Sequence, residues 1–381
     1  MKPLKNRVLK FKAKSQSMKQ YVTQNRLLYL ALVFPHALNG TYNEYFVGVK
    51  LAIFLLFFVL SGVIFTAKDF VIVSLILLTG LINSFSGDLQ YFSVTRFLVY
   101  CAFLFIFCFR IKHNVAVHDV FKWYLYTVLV LAVISSFSPG LLTYFYGWNS
   151  YEQQFNFELA ERRVVIFGLP TTAAFSFGII LFALYHLRER FPYSYYPFFI
   201  IFMYLLSTLS TTGSFVTISF VILFILYTTC RVYVFLFLVI LACLASYWLY
   251  LSDTFVSTYM VLSKTSVYNR LSEDGIYSAN LVHFFSGVGF TVDPSFAFGD
   301  MGYLDNATRL GFLGALLYYF LYGKFLLRYL HTVGGFGLII LCVLILEAGH
   351  TYSKSVVFLP ILTLCLLALH GHRRTNKLRA S

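Results

Sequence analysis

Charged residues are scarce in this chain: only 12% of its 381 residues are Asp, Glu, Lys or Arg, whereas 59% are hydrophobic. Soluble domains carry about twice that charged fraction, and a soluble fold of this size does not bury so much apolar surface. A bilayer accepts such a surface, because helices satisfy their backbone polar groups internally. The composition therefore excludes an ordinary soluble domain and predicts an all-α, polytopic integral membrane protein.

Acidic residues are few as well, with 15 Asp and Glu against 29 Lys and Arg, and the formal net charge is +14. The basic residues do not form a stripe along one folded domain. They cluster at both ends of the chain and in short segments between apolar runs, the pattern that sets membrane topology. We therefore expect no nucleic-acid partner, and we expect the basic N-terminal arm to contact anionic membrane lipids.

Motifs for cofactor chemistry are also missing. The six cysteines lie in or beside apolar runs, without metal-ligand spacing or a disulfide framework. Gly287 and Gly289 form a lone Gly-x-Gly that no strand precedes, so they do not predict a nucleotide-binding loop. Charged residues are nearly absent from the apolar runs, which argues against an ion-coupled pump. We expect neither a metal nor another cofactor.

Long apolar runs divide the chain. A spanning helix needs about 20 mostly apolar residues, and twelve runs approach this length. They lie near residues 27–40, 47–66, 70–86, 94–110, 119–138, 164–187, 196–210, 214–230, 232–251, 309–327, 334–349 and 355–370. The runs predict about 12 transmembrane helices in a single domain over 27–370, with a basic arm over 1–26 and a basic tail over 371–381.

The charges give these runs an orientation. With the N-terminus in the cytoplasm, 21 of the 29 Lys and Arg residues fall on the cytoplasmic side, and 12 of the 15 acidic residues fall on the other side. Positive charge on the cytoplasmic side is the accepted determinant of orientation. We predict that both termini are cytoplasmic and that two long periplasmic loops, near 138–163 and 252–308, lie where a membrane enzyme would place its site.

The few arginines predicted outside the cytoplasm are the leading site candidates. Arg162 and Arg163 end the first long loop, and Arg270 lies in the second, close to Lys264. A guanidinium is planar, stays charged and pairs with two phosphate oxygens at once, which suits a lipid diphosphate. The alternatives are a headgroup anchor or an ion pair for the first two, and an ordinary solvated charge for Arg270.

Asp305 and three histidines are candidates for acid–base chemistry. Asp305 lies at the mouth of the tenth run, where a carboxylate acts as a general base or instead caps the helix. His283 and His350 are predicted outside the cytoplasm, where an imidazole acts as a base or as a phosphate donor, although interfacial hydrogen bonding is the commoner role of an isolated histidine there. His36 lies within the first run, beside Pro35, and ranks lowest.

Several of these stretches, in order, resemble the O-antigen polymerase and O-antigen ligase superfamily of multi-span glycosyltransferases. RRVVIFGLPTTAAFSFGIILF is similar to the family's Arg, then Gly and Pro, opening a helix after an outer loop, and Arg162 or Arg163 matches that arginine. LSTLSTTGSFVTISFVILF resembles a Ser/Thr-rich turn before an apolar span. It lacks the arginine often found there and has Gly213 and Ser214 instead.

Two further stretches carry the resemblance through the second long loop. The stretch NRLSEDGIYSANLVHFFSGVGF resembles an Arg followed by a helix and a Gly-Val-Gly. Arg270 matches that arginine, and Gly287 and Gly289 match the two glycines. GYLDNATRLGFLGALLYY resembles a His-Asn segment before a Gly-x-x-Gly span, but Asp305 stands where the histidine is expected, followed by Asn306. Ligases of the superfamily are expected to keep that histidine, so this departure favours a polymerase.

The resemblance implies an enzyme of the bacterial inner membrane that polymerises undecaprenyl-pyrophosphate-linked oligosaccharide repeat units into O-antigen or a similar surface polysaccharide. The transfer inverts the anomeric carbon and needs no nucleotide or metal, because the lipid pyrophosphate is its own leaving group. Catalysis then rests on positioning and on stabilising charge on that group. The implied catalytic residues are Asp305, Arg270, Arg163 and His283, and the implied diphosphate ligands are Arg162, Arg163, Arg270, Lys264 and Arg309.

The implied partners are the lipid-linked oligosaccharides, membrane lipids and a polysaccharide chain-length regulator. An O-antigen ligase, which transfers polysaccharide to the lipid A core, is the first alternative. A flippase for lipid-linked oligosaccharides is a second, and it should place cations deep in a central cavity. A scaffold subunit is a third, and it would need no polar site.

Overall fold

The structure of the chain is a computed structural model. It describes residues 22–38, 41–61, 66–86, 92–109, 117–146, 165–168, 170–188, 195–207, 283–291, 302–328, 343–344, 347 and 352–380. Helices hold 83% of the described residues, which confirms the helical class that the composition predicts.

Ten helices and two short strands make up the described elements. The helices are α1 (22–33), α2 (Glu44–Leu60), α3 (Ala67–Ser86), α4 (Val94–Cys108), α5 (Val117–Phe137), α6 (Pro139–Tyr146), α7 (Pro170–His186), α8 (Tyr195–Ser207), α9 (Gly302–Leu327) and α10 (Phe358–Ala380). The strands are β1 (Ala37–Leu38) and β2 (Thr41–Tyr42), and a 3₁₀ turn covers Tyr352–Lys354.

Three of these helices, α3, α5 and α9, are long and apolar enough to cross a bilayer. Apolar stretches of α4, α7 and α10 are shorter. The chain is therefore a membrane protein, as its composition predicts. The predicted runs near 214–230 and 232–251, and most of the run near 334–349, lie outside the described residues.

The helix boundaries in the structure agree best with the predicted ones where the apolar runs are uninterrupted. The runs predicted near 70–86, 94–110 and 119–138 correspond to α3, α4 and α5. Polar side chains fix two of these starts: the Thr66 hydroxyl accepts a hydrogen bond from the Asp69 amide at 3.2 Å, and Ser93 Oγ accepts from the Arg96 amide at 3.3 Å. Each bond satisfies a backbone donor that the first helical turn leaves free.

The first predicted run is wrong at its C-terminal end. It was expected to reach residue 40, but α1 ends at residue 33. Proline disfavours helical geometry in the residue before it, and Pro35 follows Phe34. The chain then forms an antiparallel strand pair in which Ala37 faces Tyr42 and Leu38 faces Thr41.

Three segments predicted to lie outside the bilayer contain helix. The loop expected over 138–163 begins with α6, and the loop expected over 252–308 ends inside α9, which starts at Gly302. The tail expected over 371–381 continues α10 as far as Ala380. Charge marked these segments as lying outside the bilayer, but charge does not by itself exclude helix.

Helices α3, α4 and α9 pack together and position the candidate site. Phe107 of α4 contacts Tyr318, Tyr322 and Phe325 of α9, with ring centroids 5.5, 5.1 and 5.7 Å apart. These aromatic side chains are fully buried. Such offset and edge contacts stabilise a pair beyond the burial of its area, so they hold α4 firmly against the long helix.

Charged groups lie at the two ends of α9 and not along its middle. Lys324, in the last turn, donates a hydrogen bond to the buried carboxylate of Asp69, and Arg328 donates to the carbonyl of Phe109 at 2.6 Å. Asp305 lies in the first turn, at the opposite end. The charge bias assigned Asp69, Lys324 and Arg328 to the cytoplasm and Asp305 to the other side. The structure keeps these two groups apart, and which end faces the cytoplasm stays a prediction.

Candidate functional site

The site is built around a break in helix α9. Gly311 has φ 71° and ψ 168° and interrupts the helix, which frees the carbonyl oxygens of Thr308 and Arg309 from their helical partners. The amides of Val288 and Gly289 donate to these oxygens at 2.7 and 2.8 Å. In a bilayer such replacement is required, because no water is available to satisfy the free groups.

The segment that supplies these amides, residues 285–291, contains the Gly-Val-Gly motif. Its backbone conformation and close packing require the two glycines. Gly287 and Gly289 have φ of 78° and 73°, a region that side chains disfavour. A Cβ on Gly289 would lie 2.1 Å from the Ser84 hydroxyl oxygen, and a Cβ on Gly287 would lie 2.5 Å from the amide nitrogen of Gly311. The motif therefore allows the segment to lie directly against α3 and the broken helix.

Further bonds attach the same segment to α3 and to the start of α4. The Phe290 amide donates to Ser84 Oγ at 2.8 Å, and the Ser93 amide donates to the Phe290 carbonyl at 2.8 Å. Thr291 forms a β-bridge with Phe92. The end of the second long loop is thus fixed on three helices, which gives a rigid base for whatever the rest of that loop holds.

A buried group of charged side chains lies beside this segment. Arg309 Nε donates to Asp305 Oδ1 at 3.0 Å, and Arg309 Nη1 donates to the Thr291 carbonyl at 3.0 Å. Lys354 Nζ donates to Asp305 Oδ2 and, at 2.7 Å, to the Tyr100 hydroxyl. The exposed fractions of the side chains are 2% for Arg309, 6% for Asp305 and 10% for Lys354.

A chain of hydrogen bonds connects this cluster to a second carboxylate. The Tyr100 hydroxyl donates to Asn306 Oδ1 at 2.7 Å, and Asn306 Nδ2 donates to the Tyr319 hydroxyl. Tyr319 in turn donates to Glu347 Oε1 at 3.1 Å. The Ser353 amide donates to the other oxygen of Glu347 at 2.9 Å. Asp305, Lys354, Tyr100, Asn306, Tyr319 and Glu347 therefore form one continuous polar network.

Burial makes this network costly unless it is fully paired. A buried ion pair loses several kcal/mol of hydration per ion, which its mutual attraction recovers only with good geometry. Asp305, Arg309, Glu347 and Lys354 are nonetheless buried close together at the N-terminal end of α9. Charged groups in such a position mark a functional site by default.

The pKa of Lys354, one member of the network, is shifted toward neutral pH. Burial lowers the pKa of its ammonium from the usual value of 10.5 to about 8, against the opposing effect of the Asp305 carboxylate. The group lies in the turn before α10, outside the spanning helices. Near neutral pH it is therefore mostly a cation, and it loses its proton as the pH rises through its pKa of about 8.

The structure tests only part of the predicted site. Arg162, Arg163, Lys264, Arg270 and His350 lie outside the described residues. The described candidates are His283, Asp305 and Arg309. His283 begins the 283–291 stretch, where its carbonyl accepts a hydrogen bond from the Gly287 amide at 2.8 Å. Asp305 and Arg309 are brought together as an ion pair one helical turn apart.

The contacts of Asp305 and Arg309 differ from the roles predicted for them. Both carboxylate oxygens of Asp305 accept from cations, and the side chain is only 6% exposed. A substrate hydroxyl therefore has little access to the carboxylate, and the group is poorly suited to act as a general base. Helix capping does not describe it either, since its described partners are side chains. Arg309 is buried and fixes the Thr291 carbonyl, which is the role of a tether.

Lys354, Tyr100 and Glu347 were not recognised as site residues from the sequence. Lys354 was one of eight cations assigned outside the cytoplasm, and its position directly before the last apolar run was the signal that it lies at the membrane boundary. Glu347 was detectable as a carboxylate inside an apolar run. Tyr100 carried no signal, because 29 tyrosines are spread along the chain.

A second buried polar group, around His36, has a structural explanation. Lys50 is 1% exposed, and it donates to the carbonyls of Phe34 at 2.8 Å and Leu32 at 3.4 Å. These carbonyls lie at the C-terminal end of α1, where a lysine completes the open helix end. The His36 ring packs edge-on against Tyr146, with centroids 5.7 Å apart.

The chain was compared with protein-family models, with curated proteins and with solved structures. The resemblance found in the sequence rests on the order and spacing of short motifs, and the geometry described above adds direct contacts between two of them. No family model, no curated protein and no solved structure matches the chain.

Proposed function

We propose that this protein is a metal-independent glycosyltransferase of the bacterial inner membrane that polymerises undecaprenyl-pyrophosphate-linked oligosaccharide repeat units on the periplasmic face. The product is an O-antigen or a similar surface polysaccharide. The proposal includes about twelve spanning helices, cytoplasmic termini and a chain-length regulator as partner. These finer features come from the distribution of charge and from the resemblance.

One observation carries the proposal: motifs that are separate in the sequence are in direct contact around buried cations. The Gly-Val-Gly segment binds the open helix end at Thr308 and Arg309. Asp305 and Asn306, near the end of the second long loop, lie in the first turn of the same helix and contact Lys354 and Tyr100. This is the arrangement expected of a site that holds a lipid-linked anion at the membrane boundary.

The proposed reaction is a single displacement. A hydroxyl oxygen of one repeat unit bonds to the anomeric carbon of the other, and the bond from that carbon to the diphosphate oxygen breaks. The electron pair leaves with the diphosphate, and the hydroxyl proton passes to a base or to the leaving group. Cationic donors stabilise the charge that develops on the leaving group, an effect that is large in a site shielded from water.

The residue roles follow from these requirements. Arg162, Arg163, Arg270 and Lys264 remain the proposed diphosphate ligands from the two long loops. His283, with His350 in reserve, takes the place of Asp305 as proposed base, because the Asp305 oxygens are engaged by two cations. Arg309 is reassigned from ligand to tether of the loop segment.

The placement of charge argues against the flippase alternative for this part of the molecule. A flippase needs cations along a central passage. The middle of α9, between Leu310 and Gly323, contains no charged residue, and neither does α3 after Asp69 or α4 after Arg96. The charges of these three helices lie at their ends. Such a distribution suits chemistry at the membrane surface better than transport across it.

A purified reaction tests the proposal. The full chain, reconstituted in lipid nanodiscs, is incubated with lipid-linked repeat units and no nucleotide or metal. We expect a ladder of longer lipid-linked glycans, and we expect Arg163→Ala and Arg270→Ala at equal protein amounts to slow its formation on the order of 100-fold. Absence of any ladder from the wild-type chain would contradict the proposal. Full activity of both variants would remove the arginines from it.

A further inference from the structure

We propose that the Lys354 ammonium binds the diphosphate of the lipid-linked donor directly and that Asp305 is its positioning residue. The inference rests on the proposed function and adds a ligand to that site which the sequence motifs do not contain. It also gives Asp305 a role that differs from acid–base catalysis.

Exposure decides which of the two buried cations can meet a ligand. Arg309 is 2% exposed, and its guanidinium donates to Asp305 and to the Thr291 carbonyl. Lys354 is the more exposed side chain, at 10%. It belongs to the turn before α10 and not to a spanning helix. A diphosphate approaching from the membrane boundary therefore reaches the ammonium of Lys354 before the guanidinium of Arg309.

The hydrogen-bond inventory of Lys354 leaves a donor for this purpose. An ammonium has three N–H donors. Within the part of the chain that the structure describes, two are used, by the Asp305 carboxylate and the Tyr100 hydroxyl. The Tyr100 ring also lies 4.6 Å from Nζ, so the ammonium is held on one side by an aromatic face. Held in this way, the group has little freedom left to lose when it binds a phosphate oxygen.

The surrounding charges favour an anionic ligand. Asp305 offsets one of the two cations, Arg309 and Lys354, so these three side chains carry one net positive charge. Glu347 accepts hydrogen bonds from Ser353 and Tyr319, and its charge also acts on Lys354. Arg96 adds a further cation that acts on Asp305, so these five charged side chains keep one net positive charge even when Glu347 is ionised. A phosphate oxygen on Lys354 would therefore complete the cluster with a charge-assisted bond, the stronger kind of hydrogen bond.

The ionisable groups facing Lys354 fix the pH dependence of such binding. They are Asp305 and Arg309 on α9, Tyr100 on α4, and Glu347. Burial and Arg309 lower the pKa of Lys354, and Asp305 and Glu347 raise it, with about 8 as the result. Only the protonated form binds an anion, so kcat/KM for the donor should fall as pH rises through about 8.

The test uses the full chain in nanodiscs and compares two lysines that both form ion pairs with an aspartate of another segment. Lys354→Met removes the proposed ligand. Lys324→Met is the matched control, because Lys324 pairs with Asp69 at the opposite end of α9. We expect Lys354→Met to lower kcat/KM on the order of 100-fold and to weaken competition by undecaprenyl pyrophosphate. Lys324→Met should leave both unchanged.

Two further variants separate binding from a purely structural role. Lys354→Arg keeps the charge at all pH values, so it should retain activity and lose the alkaline fall. Asp305→Asn removes the group that raises the pKa of Lys354, so the fall should move to lower pH. A structural role alone would change the amount of folded protein without moving the pH profile.

The outcomes distinguish the inference from the function on which it rests. A wild-type chain that makes no ladder overturns the proposed function. An active wild type combined with a Lys354→Met variant within about threefold of it in kcat/KM overturns the inference alone. A Lys354→Arg variant with the unchanged alkaline fall also overturns it. Monodisperse elution and an unchanged melting temperature confirm that each variant is folded.

Discussion

Gly289→Ala tests the packing of the loop segment on the broken helix. The residue has φ 73°, and left-handed geometry costs a non-glycine residue about 1–2 kcal/mol. The new methyl carbon would lie 2.1 Å from Ser84 Oγ, 2.4 Å from the Ser84 amide nitrogen and 2.6 Å from the Gly80 carbonyl oxygen. Two of these neighbours are backbone, so they cannot rotate away, and overpacking of this kind costs about 1–3 kcal/mol.

The sum is a loss of about 2–5 kcal/mol. Gly48→Ala is the control, because no atom lies within 4 Å of a Cβ at that position and it lies inside α2. There alanine should stabilise the helix by about 0.5–1 kcal/mol. Reversible unfolding of the purified chain in mixed micelles, followed by circular dichroism, measures both. A Gly289→Ala variant as stable as Gly48→Ala would refute the contact between segment 285–291 and α3.

Three further predictions concern the polar contacts. Asn306→Ala leaves the buried hydroxyls of Tyr100 and Tyr319 without one partner each, so unfolding in mixed micelles should become easier by about 1–3 kcal/mol per unsatisfied group; Thr79→Ala, an exposed hydroxyl on the same bundle, should change little. Lys324→Met breaks a pair whose lysine is 31% exposed, so it should cost about 1 kcal/mol or less of stability and no activity. Arg309→Lys retains a charge but loses the forked guanidinium that bonds to both Asp305 and the Thr291 carbonyl. Limited proteolysis should then cut the chain nearer to residue 291. An unchanged cleavage pattern would argue against Arg309 as the tether of the loop segment.

The sequence predicted the helices correctly where a long apolar run was the dominant feature. Apolar runs without proline located α3, α4 and α5, since a bilayer imposes length and hydrophobicity directly. The end of α1 at Pro35 was missed because the apolar run was extended through the proline. The strand pair at Ala37–Leu38 was also missed, since a two-residue strand leaves no periodic pattern to detect.

From the sequence, some residues of the site could be predicted, but not the contacts between them. Asp305 and the Gly-Val-Gly stretch were identified as important, but their partners lie far along the chain. Asp305 meets Lys354 49 positions away, and Tyr100 meets Asn306 206 positions away. One sequence contains no record of such pairings. The roles of Asp305 and Arg309 were therefore assigned as if each acted alone, and the ion pairs changed both assignments.

Sidedness is the claim on which the whole account depends, and labelling measures it directly. In a chain whose six cysteines are replaced by alanine, single cysteines are introduced at Arg163, Arg270 and, as the opposite-face control, the exposed Lys68. A membrane-impermeant maleimide added to intact spheroplasts should label the first two positions, and Lys68→Cys should react only in inverted vesicles. Labelling of positions 163 and 270 exclusively in inverted vesicles would contradict a periplasmic diphosphate site.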